Sequence, residues 1–293
     1  LKNPYTTMTS KAEATIVREL GKFLLNGALY RGAKPVMWSP VEKTALAEAE
    51  IEYHEHTSFT VYVMFSVATS PVQIVKNASF VIWTTTAWTM PGNRALAVGP
   101  EIEYTIFRVT EVGPDASIEI GKRLVVATKL LQEICAVANI LAHEVEGSLL
   151  GETLEGTVCL HPWNKNGYDF GVRVLLADFA TTEEGTGIVH IAPGHGDVDW
   201  ALGIKNGIDV PQTVDEAGCF YSHVPMFAGN HVYKVGPKIA DALKECGALL
   251  ARGTLLHRYP HSWRSKAPLI YRNTSQWFIS MEKTGLRKAA LSA

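Results

Sequence analysis

The sequence is poor in cysteine and has no long apolar run, and each shortage excludes a class of function. Only four cysteines occur in 293 residues, at positions 135, 159, 219 and 246. None pairs as C-x-x-C, so there is no redox motif and no cysteine zinc pair. They read as reduced thiols of a cytosolic-type protein. No stretch reaches the roughly 18 consecutive apolar residues of a membrane span. The opening LKNPYTTMTSKAEA lacks the apolar core of a secretory signal. Basic charge is not in excess either. A net charge of −2 gives no global attraction to nucleic acid, although a local basic segment stays open. There is no P-loop and no G-x-G-x-x-G, hence no argued nucleotide cofactor. There is no G-x-S-x-G elbow and no cysteine in a catalytic context, which speaks against a conventional covalent hydrolase. The chain has no internal repeat and no low-complexity stretch. It starts without Met and stops in GLRKAALSA, and we expect a fragment of a longer protein.

What is present is a globular composition, 47% hydrophobic and 19% charged, which supports a real core in one large domain or two small ones. Residues 10–26 have helical spacing at Ile16, Leu20, Phe23 and Leu24, with Ser10 as cap, Glu13 completing a capping box and Gly27 as stop. ALYRGAKPVMWSP reads as a short extended hairpin. From about 57 to 127 the period changes to two, in FTVYVMFSV, SFVIWTTT, RALAV, EYTIFRV and RLVVAT. TKLLQEICAVANI is a helix. EGTVCLHP, GVRVLLADF and GTGIVHIAP are further strands. GDVDWALGIKNG and GPKIADALKECGALLA are helices, the first capped by Gly196 or Asp197 and closed by Gly207, the second with Pro237 in its first turn. Residues 252–281 are basic and aromatic without clear periodicity. Many short strands with a few helices suggest a β-barrel with helices attached.

Two stretches carry chemistry. In VIWTTTAWTMPGNRALAV (81–98) an apolar strand ends in three threonines between Trp83 and Trp88. Alternation puts Thr84 and Thr86 on one face and Thr85 on the other. They are either β-branched residues at a strand end or hydroxyls that bond a ribose, phosphate or ester. In GTGIVHIAPGHGDVDW (185–200) Ile188 and His190 share one strand face, Val189 and Ile191 the other, and the turn into a helix brings His190 and Asp199 towards one mouth. Here a structural reading, with first-turn acids stabilising a helix, stands beside two sharper ones. His190, His195, Asp197 and Asp199 are all metal-capable, but their spacing matches no standard zinc pattern. Alternatively, Asp199 binds an ammonium and His190 shapes the adjoining pocket.

WTTTAWTMPGNRA together with GTGIVHIAPGHGDVD resembles the editing (connective peptide 1) domain of isoleucyl-tRNA synthetases. LYRGAKPVMWS…TALAEAEIEY and HSWRSKAPLIYRNTSQWFISM resemble the flanking segments that join this insertion to the class I catalytic core, so the resemblance covers essentially the whole chain. Related valyl and leucyl enzymes carry Thr-Thr-Arg-Pro in the first motif. Thr86-Ala87-Trp88 stands here instead and points to the isoleucyl branch.

The resemblance implies an α+β, mainly β fold: a β-barrel editing domain with peripheral helices and extended flanking segments. The expected parts are an N-terminal junction (1–56), the editing barrel (57–240), and a helix end with a return segment to the catalytic core (241–293). It implies a cytoplasmic deacylase acting on tRNA(Ile) whose 3′ acceptor end carries valine, using a positioned water and no cofactor in this segment. The remainder of the synthetase is the other partner, and no membrane is involved. Thr84, Thr85, Thr86 and Asp199 are the implied catalytic residues. Trp88, Asn93, His190 and Asp199 are the implied substrate-binding residues, with Asp199 on the α-ammonium and His190 limiting side-chain size. The HIGH and KMSKS motifs of aminoacylation are absent. Some relatives carry cysteines in the flanking hairpin and near the tryptophan of the return segment. Ser39 and Ser262 stand there here, and no metal is expected. A non-catalytic module that positions the tRNA acceptor end is the alternative from another functional class.

Overall fold

The computed structural model describes residues 4 and 6–293. Residues 1–3 and 5, at the start of the expected junction, lie outside the described residues. The chain divides into two compact units, residues 1–34 with 274–293, and residues 35–273.

The smaller unit holds helix α1 (Ser10–Leu25), the first half of strand β1 (Leu29–Ser39), and a C-terminal strand end and helix. Thr9, not Ser10, caps α1: its extended backbone turns its hydroxyl to accept the Ala12 N–H at 3.3 Å. The cap falls one residue early because the hydroxyl three positions before the free N–H is the one that reaches it. The apolar stripe predicted for α1 forms, and Ile16, Leu20 and Leu24 on it are exposed. Arg31 Nε donates to Ser275 Oγ at 2.9 Å, and Tyr30 stacks on Phe278.

The larger unit continues with β2 (Thr44–Ala45), β3 (Ile51–Thr69), β4 (Ser79–Thr84), β5 (Ala95–Val98), β6 (Glu103–Val112), β7 (Arg123–Ala127), α2 (Leu131–Val137) and β8 (Ile140–Leu150). There follow β9 (Val158–Leu160), β10 (Gly171–Leu176), β11 (Ile188–Ile191), α3 (Asp197–Lys205), α4 (Gly236–Glu245), β12 (Leu249–Ser262) and β13 (Ile270–Ile279), before α5 (Leu286–Ser292) in the smaller unit. The tail read as aperiodic is thus mostly strand. β12 pairs with β3 along nearly its whole length, so a neighbouring strand fixes its conformation and alternation is not required of it. β8, absent from the sequence-based reading, is an edge strand with few buried residues and therefore little apolar signal.

The mainly β, α+β class agrees with the sequence-based expectation. One mixed sheet runs β11-β5-β10-β9-β3-β4-β7-β6-β8, with β12 attached to β3. β10–β5 and β4–β7 are parallel, and the other pairs are antiparallel. The sheet curls so that β11 returns beside β4, but no ladder joins these two. The expected barrel is therefore an open curl with a seam. The seam stays unladdered because β4 stops at Thr84, and the chain then leaves the extended conformation at Thr86 (ψ 61°) for a 3-10 turn over Ala87–Gly92.

The inner face packs Phe65, Phe80, Ile82, Leu96, Ile106 and Val125, all fully buried, each worth about 1.5–3 kcal/mol by removal from water. Outside, Ala95, Ala97, Leu175 and Ile191 form a smaller apolar floor on which α3 sits through Leu202. His190 pairs with Leu96 across the β11–β5 ladder and so faces inward.

The start of β11 is held tightly. The Tyr104 hydroxyl donates to the Gly187 carbonyl at 2.7 Å and accepts the Gly99 N–H at 2.9 Å. Gly187 has φ +75°, and a Cβ there would lie 2.4 Å from the Ala127 Cβ. Gly187→Ala is expected to cost about 1–3 kcal/mol through overpacking and strain, read as a lower urea midpoint. An unchanged midpoint would show that this end of β11 relaxes freely.

Candidate active site

The seam between β4 and β11 opens into a cavity of about 370 Å³. Thr84, Thr85, Thr86 and Thr89 line it from the β4 side, and Val189, His190, Ala192, His195 and Asp199 from the β11 side. Trp83, Glu184, Leu255 and His257 complete it. The three threonines, His190 and Asp199 thus meet in one place, across more than a hundred residues of sequence. Trp88 and Asn93 do not line this cavity. Trp88 lines a second one of about 210 Å³ that shares Thr85 and Thr86 with the first. Asn93 is fully buried behind His190.

Strand ending and turn geometry place the hydroxyls. Thr84 Oγ1 accepts the Thr86 N–H at 3.1 Å and lies 3.2 Å from Thr86 Oγ1. That agrees with the alternation that puts these two on one face.

His190 is held from both ends. Asn93 Nδ2 donates to the Ala95 carbonyl at 3.0 Å and to His190 Nδ1 at 2.8 Å. Since Nδ1 accepts, the proton sits on Nε2, which donates to Thr89 Oγ1 at 2.8 Å. Thr89 in turn donates to the Thr86 carbonyl at 2.8 Å. The chain of bonds Asn93–His190–Thr89–Thr86 replaces the missing ladder across the seam. Burial drives the His190 pKa down to about 3, with His195 adding to the shift. His190 has no free nitrogen with which to take a proton, and it acts as a fixed neutral wall.

His195 has the opposite tautomer. Its Nδ1 donates to the Tyr271 carbonyl at 3.0 Å, so Nε2 accepts the Thr213 hydroxyl at 2.6 Å. Its ring meets Trp88 edge-on at 4.8 Å. A Cβ on Gly92 would lie 2.8 Å from its Cδ2, so only glycine fits there. Burial lowers its pKa to about 4. A third histidine, His161, supports the same turn from below. It accepts the Trp163 N–H at Nδ1 and donates from Nε2 to the Met90 carbonyl. Burial lowers its pKa to about 3.

Asp199 stands in the first turn of α3, behind the Gly196 cap. Its Oδ2 accepts the Ala192 N–H at 2.8 Å, which folds the carboxylate back over the 193–196 turn. A Cβ on Gly196 would lie 3.0 Å from that carboxylate, so glycine leaves it room. Burial raises the Asp199 pKa to about 6, against the pull of the Ala192 and Asp199 backbone N–H groups. Glu184 is the other acid on the wall, and no lysine or arginine lines the cavity. The cavity therefore favours a cation.

A metal reading of His190, His195, Asp197 and Asp199 finds no geometry. The ring nitrogens of both histidines are engaged within the protein. Among the described residues no group of three or more His, Cys, Asp or Glu is placed to hold a metal ion. No helix of the described residues is long and apolar enough to cross a membrane.

Thr89, Glu184, Leu255 and His257 carry no functional signal in the sequence, and His195 reads there only as metal-capable. Thr89 follows the threonine run by three positions, and its partner lies 101 residues away. Only the seam brings them together.

Comparison with known proteins then fixes the family. A model of the class I tRNA synthetases (I, L, M and V) matches residues 1–293. The chain belongs to the class I tRNA synthetase family. Isoleucine–tRNA ligase of Gluconobacter oxydans (strain 621H) is 49% identical to this class I synthetase chain over 305 residues, covering 99% of the chain and 32% of the relative. That of Pelagibacter ubique (strain HTCC1062) is 48% identical over 292 residues, covering 100% and 32%. The chain thus spans about a third of the length of these curated relatives. A solved structure described as the crystal structure of GlLeuRS-CP1 aligns with a TM-score of 0.48 at 14% identity, covering 68% of this chain and 99% of that one.

The neutral histidines set a pH dependence. His161, His190 and His195 stay unprotonated in the fold down to about 3, 3 and 4, whereas in the unfolded chain they take up protons near 6.5. Below about pH 6.5 the unfolded state therefore binds more protons, and stability falls with pH. Asp199 works the other way, gaining its proton earlier in the fold, because burial lifts its pKa from an ordinary 3.8 to about 6. Three groups oppose one, so the urea midpoint is expected to drop between pH 7.5 and 5. A midpoint that holds or rises over that range would show that these histidines are not held neutral.

Proposed function

We propose that this chain is the editing segment of an isoleucine–tRNA ligase and that the seam cavity hydrolyses the ester of mischarged Val-tRNA(Ile). The observation that supports it most is a half-enclosed carboxylate, Asp199, opposite a hydroxyl-rich strand end, with a neutral wall between them. An aminoacyl ester presents an ammonium, an ester carbonyl and a ribose to those three elements. Asp199 takes the ammonium. Thr84, Thr85 and Thr86 orient the ester, the ribose and a water. Water oxygen attacks the ester carbon, the bond to the ribose oxygen breaks, and the proton passes to that oxygen, releasing valine and tRNA with a free terminal hydroxyl. No nucleophilic side chain is required, since the ester is already activated, and the vicinal ribose hydroxyl is available to relay the proton. Residues 57–240 would form the editing module, and the tRNA acceptor end and the remainder of the synthetase would be its partners.

The reading has a thermodynamic rationale. A synthetic pocket gains only about 1–3 kcal/mol from the methylene that separates isoleucine from valine, a limit best known from isoleucyl-tRNA synthetase itself. A second cavity bounded by the immobile His190 ring sieves in the opposite direction, admitting valine and clashing with isoleucine.

Two variants test it by single-turnover deacylation. Asp199→Ala removes a charge-assisted contact of about 1.5–3 kcal/mol, and is expected to slow hydrolysis of Val-tRNA(Ile) by about tenfold to a hundredfold or more with the fold intact. A folded Asp199→Ala chain at the parental rate would refute the assignment. If the wild-type chain binds tRNA but releases no valine, it is a positioning module instead. His190→Ala opens space for the extra methylene, whose burial is then worth about 0.8 kcal/mol. Hydrolysis of Ile-tRNA(Ile) should appear, with slower action on valine as Thr89 and Asn93 lose their partner. Loss on valine with no gain on isoleucine would sink the wall.

A further inference from the structure

Away from the cavity, two turns more than two hundred residues apart are built alike and face each other. Ser39 ends β1, Glu42 follows three positions later and Lys43 four. Ser262 ends β12, Ser265 follows three positions later and Lys266 four. In each turn the lysine N–H donates to the serine carbonyl, at 2.8 Å for Lys43 and 2.9 Å for Lys266. Both lysines take a left-handed backbone, φ 53° and 59°. In each turn backbone N–H groups also fold onto the serine hydroxyl: Glu42 onto Ser39 at 3.2 Å, Arg264 and Ser265 onto Ser262 at 3.2 and 3.4 Å.

The first and fourth side chains of both turns converge on one carboxylate. Glu42 accepts the Ser39 hydroxyl on Oε2, and on Oε1 the Ser262 hydroxyl at 2.9 Å and the Ser265 N–H at 3.0 Å. Ser39 and Ser262 are fully buried. Burial alone would raise the Glu42 carboxyl, but the hydrogen bonds from Ser265 and Ser262 outweigh it and hold it below its ordinary value.

Two facing turns with ligating side chains at first and fourth positions are the framework of a four-cysteine zinc site. The donors here do not fit zinc: three hydroxyl-bearing residues and one carboxylate, with no thiolate and no imidazole. The polarity is also reversed. A zinc site is a cation ringed by anions, whereas this is an anion ringed by O–H and N–H donors. Glutamate is long enough to carry its carboxylate to the centre where a metal bound to shorter side chains would sit.

We propose that residues 39–42 and 262–265 are a matched knuckle pair joined by the Glu42 carboxylate in place of a metal, forming a metal-independent clasp. The clasp ties the end of β1 to the end of β12, a few residues before β13. Tyr271 and Asn273 of β13 then reach the active-site turn, at His195 and at the Gly194 carbonyl.

The test uses this 293-residue chain. The purified protein is expected to hold far less than one equivalent of zinc by elemental analysis, with a thermal midpoint that EDTA leaves unchanged. Glu42→Ala should lower the midpoint by several degrees and Glu42→Gln by less, and added zinc should restore neither. The variant S39C/E42C/S262C/S265C should take up one Co²⁺ with the thiolate-to-metal absorption of a tetrahedral site and become chelator-sensitive. If it does not fold alone, refolding with Co²⁺ gives the same readout. Stoichiometric zinc in the parent, an EDTA-sensitive midpoint, or a Glu42→Ala chain as stable as the parent would overturn the clasp. A folded four-cysteine chain that binds no cobalt would overturn the matched turns.

Discussion

One neutral imidazole holds together two strands that share no ladder. β4 and β11 lie side by side at the seam of the curled sheet, and the polar link across it is Asn93 to His190 to Thr89 to Thr86. A continuous ladder would have closed the sheet and filled the space with backbone. Leaving the seam to side chains creates a cavity and lines it with hydroxyls. The arrangement works only with the imidazole uncharged, since a protonated ring would turn Nδ1 into a second donor facing the Asn93 amide. The hydrogen-bond directions express that constraint, and burial, which drives the His190 pKa down to about 3, keeps the ring in the uncharged state.

The same constraint shapes the electrostatics. With His190 and His195 neutral and no lysine or arginine of the described residues on its wall, the cavity sets no fixed countercharge against Asp199. An enclosed carboxylate in that position is costly, as its raised pKa records. The Ala192 N–H and the α3 N-terminus offset part of the cost. An arriving ammonium would offset the rest, completing an ion pair that the protein leaves half-made. If the cavity edits as proposed, it would select charge first and size second, with the fixed His190 ring supplying the second test.

Much of this was legible in the sequence, for definable reasons. Period-two alternation gave most strands, because each buries one face, and it placed His190 inward with Ile188. The Gly196 cap and the acids of the first turn gave α3. The tail was not legible, because β12 draws its conformation from pairing with β3, and neither of its faces is buried enough to leave a pattern. β8 was missed for the same reason. Thr84–Thr86 and Asp199 stood out through composition and adjacency. Thr89 and His195 did not, since their roles rest on partners brought in by the fold: His190 for one, Tyr271 and Thr213 for the other. Sequence also could not show that Glu42 and Ser265 answer Ser39 and Ser262, because an i, i+3 polar pair is unremarkable until its twin faces it.

A sieve that separates two aliphatic side chains by one methylene needs walls that do not yield. A ring able to turn would admit isoleucine for less than the clash is worth, and a neutral imidazole on a single hydrogen bond would turn. His190 is tethered at both nitrogens, and so is His195, whose ring is wedged between Gly92 and the edge of Trp88. The tethers lead outward to rigid elements: Asn93 to the backbone of β5, and His195 to β13, the strand that follows the Glu42 clasp. Polar groups that would each be unremarkable alone thus support the cavity wall from β5 and β13. If the cavity edits as proposed, substitutions well outside it, in the residues that hold these rings, should change which side chain is admitted before they change whether the chain folds.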